Sequence, residues 1–123
     1  MKIGELAQRS GLSVHALRYY ERIGLLPKIG RDGARHRDYD VSILTWIAFL
    51  DRLKTTGMPI RDMVRYAQLR PLGQASEKER CQLLEAHRDK VRAHVAHLQD
   101  CLEVLDAKIA GYGGCPNHER KTS

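Results

Sequence analysis

Long apolar runs are missing from this chain of 123 residues. No stretch of about 18 apolar residues occurs, which excludes a membrane-spanning helix; the basic composition alone would also allow a membrane surface, but no membrane partner is expected. The opening Met1-Lys2-Ile3-Gly4-Glu5-Leu6 lacks the apolar core of a signal peptide, so a cytoplasmic protein is expected. Cysteine is scarce and odd in number, three in all, which argues against a disulfide framework. There is no internal repeat and no low-complexity tract. No phosphate-cradling glycine motif and no nucleophile–base–orienter set is found, and the core is too small to enclose a substrate pocket. The chain is therefore not expected to be an enzyme.

What is present is charge of one sign in one place. Residues 1–70 hold 13 Lys and Arg against 7 Asp and Glu, a balance of 13 − 7 = +6. Residues 71–123 hold 8 of each and balance at zero. Solubility does not need that asymmetry; a phosphate-binding surface does. Double-stranded DNA is the expected partner.

Glycine and proline punctuate the chain. Residues 3–9 predict a short helix with Ile3, Leu6 and Ala7 on one face. Gly11 suits its left-handed end. Ser13 suits the N-cap of a second helix over 14–23, and Gly24 and Pro27 end it. Residues 28–39 are basic and contain Asp32-Gly33, a hairpin signal, so a small β-ribbon or wing is expected. Asp40 or Ser42 would cap a third helix over 41–55, with Val41, Leu44, Ile47, Ala48 and Leu50 inward and Trp46 at the edge of the core. Gly57 stops it. Pro59 starts a fourth helix over 60–68, with Ile60, Met63, Val64 and Leu69 inward.

Residues 71–76 read as a linker, and residues 77–110 as one long helix, longer than a globular helix usually runs. Leu84, Val91, Leu98 and Leu105 fall seven apart, and so do Cys81, Arg88, Val95, Leu102 and Ile109. Only Arg88 breaks this two-row stripe. Seventy residues of compact domain would not bury it, so a homodimer is expected through Leu84, Val91, Val95, Leu98, Leu102, Leu105 and Ile109. A short, mobile tail over 111–123 would follow.

The residues Met1-Lys2-Ile3-Gly4-Glu5-Leu6-Ala7, Ser13-Val14, Leu17-Arg18-Tyr19-Tyr20-Glu21, Gly24-Leu25, Arg37-Asp38-Tyr39 and Thr56-Gly57-Met58-Pro59-Ile60 resemble the MerR family of bacterial transcriptional regulators. Each motif is weak alone; their order and spacing make the match specific. The resemblance covers residues 1–70 closely and extends to the long helix. It implies a mainly α fold, with a winged helix-turn-helix DNA-binding domain followed by a dimerisation helix in an antiparallel coiled coil. It also implies a mechanism. A homodimer would bind a promoter inverted repeat, then bend and untwist the spacer so that RNA polymerase engages both promoter elements, with protein–backbone contacts offsetting the deformation energy.

On the second helix His15, Arg18 and Tyr19 are expected to face the groove, with Arg18 on guanine or phosphate. Tyr20 belongs to the core. Arg35 and Arg37 alternate on the expected strand and would leave it on one face toward phosphate. Tyr39 would anchor the wing, its hydroxyl also reaching a phosphate. Lys54 and Arg61 flank the corner between the third and fourth helices, where the family has a second wing, and are expected on phosphate.

The signal is less legible. Cys115-Pro116-Asn117-His118 stands where metal-sensing relatives carry a cysteine-bearing loop, and Cys81 of a second copy would approach it in an antiparallel dimer. Thiolate and imidazole suit zinc or a softer ion. Yet no second cysteine follows Cys115, and Cys81 falls on the apolar row, so no metal or other cofactor is expected, with Cys81, Cys115 and His118 as the candidates against that reading. His94, His97 and Cys101 share one side of the long helix, with His87 a heptad earlier; two adjacent side chains of this set could chelate an ion, but exposed flank positions account for them. A thiol sensor on the third helix is not expected, because Arg52 stands where its cysteine would be; a thiol-responsive sensor using Cys101 or Cys115 stays an alternative. An architectural winged-helix DNA binder without effector is the remaining alternative.

Overall fold

The computed structural model describes residues 1–27 and 38–115. They form five α-helices: α1 (Ile3–Ser10), α2 (Val14–Ile23), α3 (Ile43–Thr55), α4 (Ile60–Leu69) and α5 (Glu77–Gly111), with a 3-10 segment over Arg70–Ser76. No strand occurs among the described residues. The chain divides into two compact units, Met1–His87 and the part from Arg88 onward.

The helix-turn-helix forms where its caps dictate. Gly11 ends α1 at φ 80°, its N–H donating to the Ala7 carbonyl at 3.0 Å. That left-handed conformation is one an L side chain adopts at a cost. Ser13 then starts α2, its Oγ accepting from the Ala16 N–H at 3.0 Å. The Leu25 and Leu26 amides close the end of α2 on the Tyr20 carbonyl. This turn sends both leucines into the core, where each is at most 3 % exposed.

Leu6, Leu17, Leu25, Leu50 and Met63 are the largest fully buried side chains of the first unit. They come from α1, α2, the turn after it, α3 and α4, so one core holds all four short helices. Trp46 lies deeper than the core's edge. It is buried, and its indole N–H donates to the Leu25 carbonyl at 2.8 Å. Tyr66 stacks on it with ring centroids 6.0 Å apart, and the Arg70 guanidinium sits 3.7 Å from its ring centroid. Partial burial in this stack draws the Arg70 pKa below its usual value.

Three residues expected inward are not, and one of them is Ala48, which is exposed on α3. Val41 is 59 % exposed and Ile60 is 40 % exposed. For Val41 the reason is local: the Asp40 carboxylate accepts from the Ser42 N–H at 3.1 Å and from the Ser42 hydroxyl, so residues 40–42 form a turn and α3 begins at Ile43. Those hydrogen bonds hold the Asp40 carboxyl below its ordinary pKa.

The segment read as a linker is helical and pinned. Gly73 breaks it at φ 58°, ψ −135°. The buried Ser76 hydroxyl lies within hydrogen-bond distance of the Leu69 and Gly73 carbonyls and accepts from Arg80 Nε at 2.9 Å. Arg80 also donates to the Gly73 carbonyl at 2.8 Å. Arg65 of α4 donates twice to Glu79 of α5, at 2.9 and 2.6 Å. His87 Nε2 lies 2.7 Å from the Thr56 hydroxyl at the end of α3. The first three turns of α5 therefore belong to the first unit.

Leu84 is corrected accordingly. It was expected in a dimer seam, but it is half-buried against the core of its own chain. In the second unit Val95, Leu98, Leu102, Leu105 and Ile109 of α5 are each about half exposed, 44 to 57 %.

Candidate nucleic-acid interface

α2 has two faces. Leu17, Tyr20 and Glu21 are buried. His15, Arg18, Tyr19 and Arg22 are exposed, at i, i+3, i+4 and i+7. This spacing places four side chains in one outward arc over two turns. Arg22 also lies on that arc, where the helical period from His15 and Arg18 places it, although it stands outside the residues expected to face the groove. The Arg22 guanidinium sits over the Tyr19 ring, 5.3 Å from its centroid, within cation–π range. Arg18 makes no ion pair among the described residues, so its guanidinium is available to an anion.

Behind the arc sits a buried polar contact. Glu21 is 5 % exposed and its Oε2 accepts from the Tyr39 hydroxyl at 3.2 Å. Tyr39 itself is 2 % exposed. Its backbone is also fixed: the Tyr39 N–H donates to the Met1 carbonyl at 2.6 Å, and the Met1 ammonium donates to the Tyr39 carbonyl at 2.7 Å. The expected phosphate contact of Tyr39 is corrected on this ground. Burial turns the hydroxyl inward, and the residue anchors the chain where it returns toward α3.

Lys54 and Arg61 are exposed on either side of the corner between α3 and α4. Gly57 turns that corner at φ 89°. The Thr56 hydroxyl reaches back to the Arg52 carbonyl at 2.7 Å and closes the last turn of α3. Arg35, Arg37 and His118 lie outside the described residues. Cys81, Cys101 and Cys115 are exposed. Among the described residues of one chain, no group of three His, Cys, Asp or Glu side chains is placed to hold a metal ion. None of the described helices is long and apolar enough to cross a membrane.

A capped helix pair, with a basic and aromatic outward arc on its second helix, defines a helix-turn-helix DNA-binding protein. The comparisons narrow the class. The model of the MerR family regulatory protein matches residues 2–39. An uncharacterized HTH-type transcriptional regulator of Haemophilus influenzae is 36 % identical over 106 residues, 86 % of this chain and 78 % of its own. A Listeria monocytogenes protein, assigned to the MerR family of transcriptional regulators, has a crystal structure that superposes with a TM-score of 0.82. It is 33 % identical and covers 92 % of this chain and 86 % of its own. HiNmlR, a MerR family regulator lacking the sensor domain and bound to promoter DNA, superposes with a TM-score of 0.76 at 34 % identity, covering 91 % of this chain and 89 % of its own. The chain belongs to the MerR family and is an HTH-type transcriptional regulator.

Proposed function

We propose that two copies of the chain bind the two halves of a promoter inverted repeat, and that the dimer controls transcription by bending and untwisting the DNA between them. RNA polymerase would sense the change through the promoter, not through the protein. The outward arc of His15, Arg18, Tyr19 and Arg22 carries this reading, because a rigid, capped helix presents two guanidiniums, an imidazole and a phenol together. In the proposal Arg18 and Tyr19 contact bases or phosphates. His15 and Arg22 extend the contact along α2, while Arg35, Arg37, Lys54 and Arg61 hold the backbone. Residues 1–70 would form the reading head, 71–76 the link and 77–110 the dimerisation helix through Val91, Val95, Leu98, Leu102, Leu105 and Ile109. The half-exposed stripe supports the dimer, since an architectural DNA binder would have no use for it. HiNmlR on promoter DNA supports the partner.

Arg18→Ala tests the reading. Binding to the inverted repeat upstream of the chain's own coding region should weaken by about 1–3 kcal/mol per half-site. Affinity for that repeat should also fall steeply with salt, and mixed-sequence DNA should bind far more weakly. Folded Arg18→Ala protein with full affinity would remove the central contact. Equal affinity for both DNAs would favour an architectural role.

A further inference from the structure

Arg88 interrupts the apolar stripe of α5, and Tyr112 extends it. Tyr112 falls seven residues after Leu105, on the row of Val91, Leu98 and Leu105. It follows Gly111, where α5 ends, yet it stays tied to the last turn: its N–H donates to the Ile109 carbonyl at 3.0 Å. Gly113 and Gly114, both at positive φ, turn the chain directly after it. Tyr112 is 72 % exposed. Within one chain the Lys108 ammonium sits 6.0 Å from its ring centroid, at the outer limit of a cation–π contact. Arg88 is exposed as well, and its guanidinium pairs with the carboxylate of its neighbour Asp89 at 3.2 Å. Neither contact accounts for a cation inside one apolar row and an aromatic ring at the end of the other.

The register of an antiparallel pair accounts for both. In such a pair each residue of one row lies opposite a residue of the partner's other row, and each flank stays on one side of the seam. Leu84 packs on the core of its own chain, so the seam begins after it. The register that then fills every apolar layer sets Val91 opposite the partner's Ile109, Val95 opposite the partner's Leu105 and Leu98 opposite the partner's Leu102. The next layer outward is Arg88 opposite the partner's Tyr112. On the flank, Arg92 comes within two residues of helix rise, about 3 Å, of the partner's Asp106, a charge of opposite sign. A slip of one heptad in one direction returns Leu84 to the seam and sets Arg88 against the partner's Leu105. A slip in the other direction leaves Val91 beyond the end of the partner's α5. The seam from Arg88 to Tyr112 lies wholly within the second unit.

We propose that the Arg88 guanidinium stacks on the ring of Tyr112 of the partner subunit, once at each end of the seam, and that this pair fixes the register and selects a second copy of this chain as the partner. The pairing rests on the dimer proposed above. A guanidinium set against leucine has no partner for its charge. The face of a phenol ring attracts it and leaves its N–H groups free for Asp89 and water. Arg88 then replaces the more distant Lys108 contact, and Lys108, on the flank, keeps its ammonium in water. A similar helix with no aromatic ring at that layer would leave Arg88 uncompensated, which disfavours mixed pairing. The register also sets where the two chains enter the seam. Arg88 and the partner's Arg88, which lies opposite Tyr112, stand 24 residues apart along the helix, about 36 Å. One heptad of slip would change that interval by about 10 Å.

The test uses the full chain, with dimer affinity read by sedimentation equilibrium and folding of each variant by near-UV circular dichroism. Arg88→Ala and Tyr112→Ala should each weaken the dimer at least about fivefold, since two symmetric contacts are lost at once. Tyr112→Phe keeps the ring face and should dimerise like the wild type. The double variant should be no weaker than either single one, because each already removes both contacts. Single variants with full affinity, or losses that multiply in the double variant, overturn the pairing and leave the dimer intact. The register is read separately, in a chain carrying Cys81→Ser and Cys115→Ser. There Cys101 comes within two residues of helix rise, about 3 Å, of the partner's Cys101 on the same flank. A short bismaleimide should join the two into a covalent dimer. A dimer that the reagent leaves unjoined overturns the register and the pairing with it. A wild-type chain that stays monomeric at micromolar concentration overturns the dimer itself, and the pairing falls with it.

Discussion

Tyr39 and Glu21 illustrate how a motif can be dictated by the core behind an interface. The Tyr39 hydroxyl donates to a carboxylate that is 5 % exposed. A buried carboxylate is costly to leave short of donors. Tyr39→Phe should therefore lower unfolding stability by about 1–2 kcal/mol, read as a reduced urea midpoint at unchanged slope. The affinity of the folded protein for DNA should stay at the wild-type value. A selective loss of affinity would show that the hydroxyl reaches phosphate after all. From sequence, Tyr39 was expected as an anchor of the wing whose hydroxyl also reaches phosphate; the anchoring was legible, but the buried carboxylate 18 residues away that takes the hydroxyl was not.

At the scale of the elements, caps and glycines were legible and depth was not. Ser13, Gly11 and Gly24 mark their helix ends because each acts within a few residues of itself. Val41 was misjudged because the Asp40–Ser42 turn delays the start of α3, and Trp46 because its burial depends on a neighbour far along the chain. Leu25, 21 residues from Trp46, supplies the carbonyl for its indole. The same limit applies to Leu84, whose heptad position is compatible with a seam but whose side chain meets its own core. The wing residues Arg35 and Arg37 lie outside the described residues. The turn before α3 carries a prediction of its own. Hydrogen bonds from Ser42 depress the Asp40 pKa in the folded state. A depressed carboxylate stabilises the fold above its unfolded pKa, and that stabilisation is lost as pH falls through the folded value. Asp40→Asn should therefore flatten the acid limb of the stability profile below about pH 4. An unchanged limb would mean that Ser42 does not hold the charged form.

For the whole molecule, the decisive asymmetry is between a basic first part and a neutral, striped second part. The +6 balance lies wholly within residues 1–70, while the half-exposed leucines and valines lie on α5. In the proposed complex a reading head presenting one α2 arc would cover one half-site. Linking two heads makes the second contact intramolecular, which can raise overall affinity by about 10²- to 10⁴-fold without any new protein–DNA contact. The stripe supplies the link only if its apolar layers pair, because a charge placed in a dry seam has no partner there. Leu98→Glu should give a folded monomer by sedimentation at micromolar concentration, with helical content unchanged because the substitution keeps helix propensity. Its affinity for the full inverted repeat should drop toward that for a single half-site, and its affinity for the half-site should equal that of the wild type. If Leu98→Glu still binds the full repeat like the wild type, the two heads are joined by something other than the α5 stripe. If it loses the half-site as well, the helix contributes to the head and not only to its pairing.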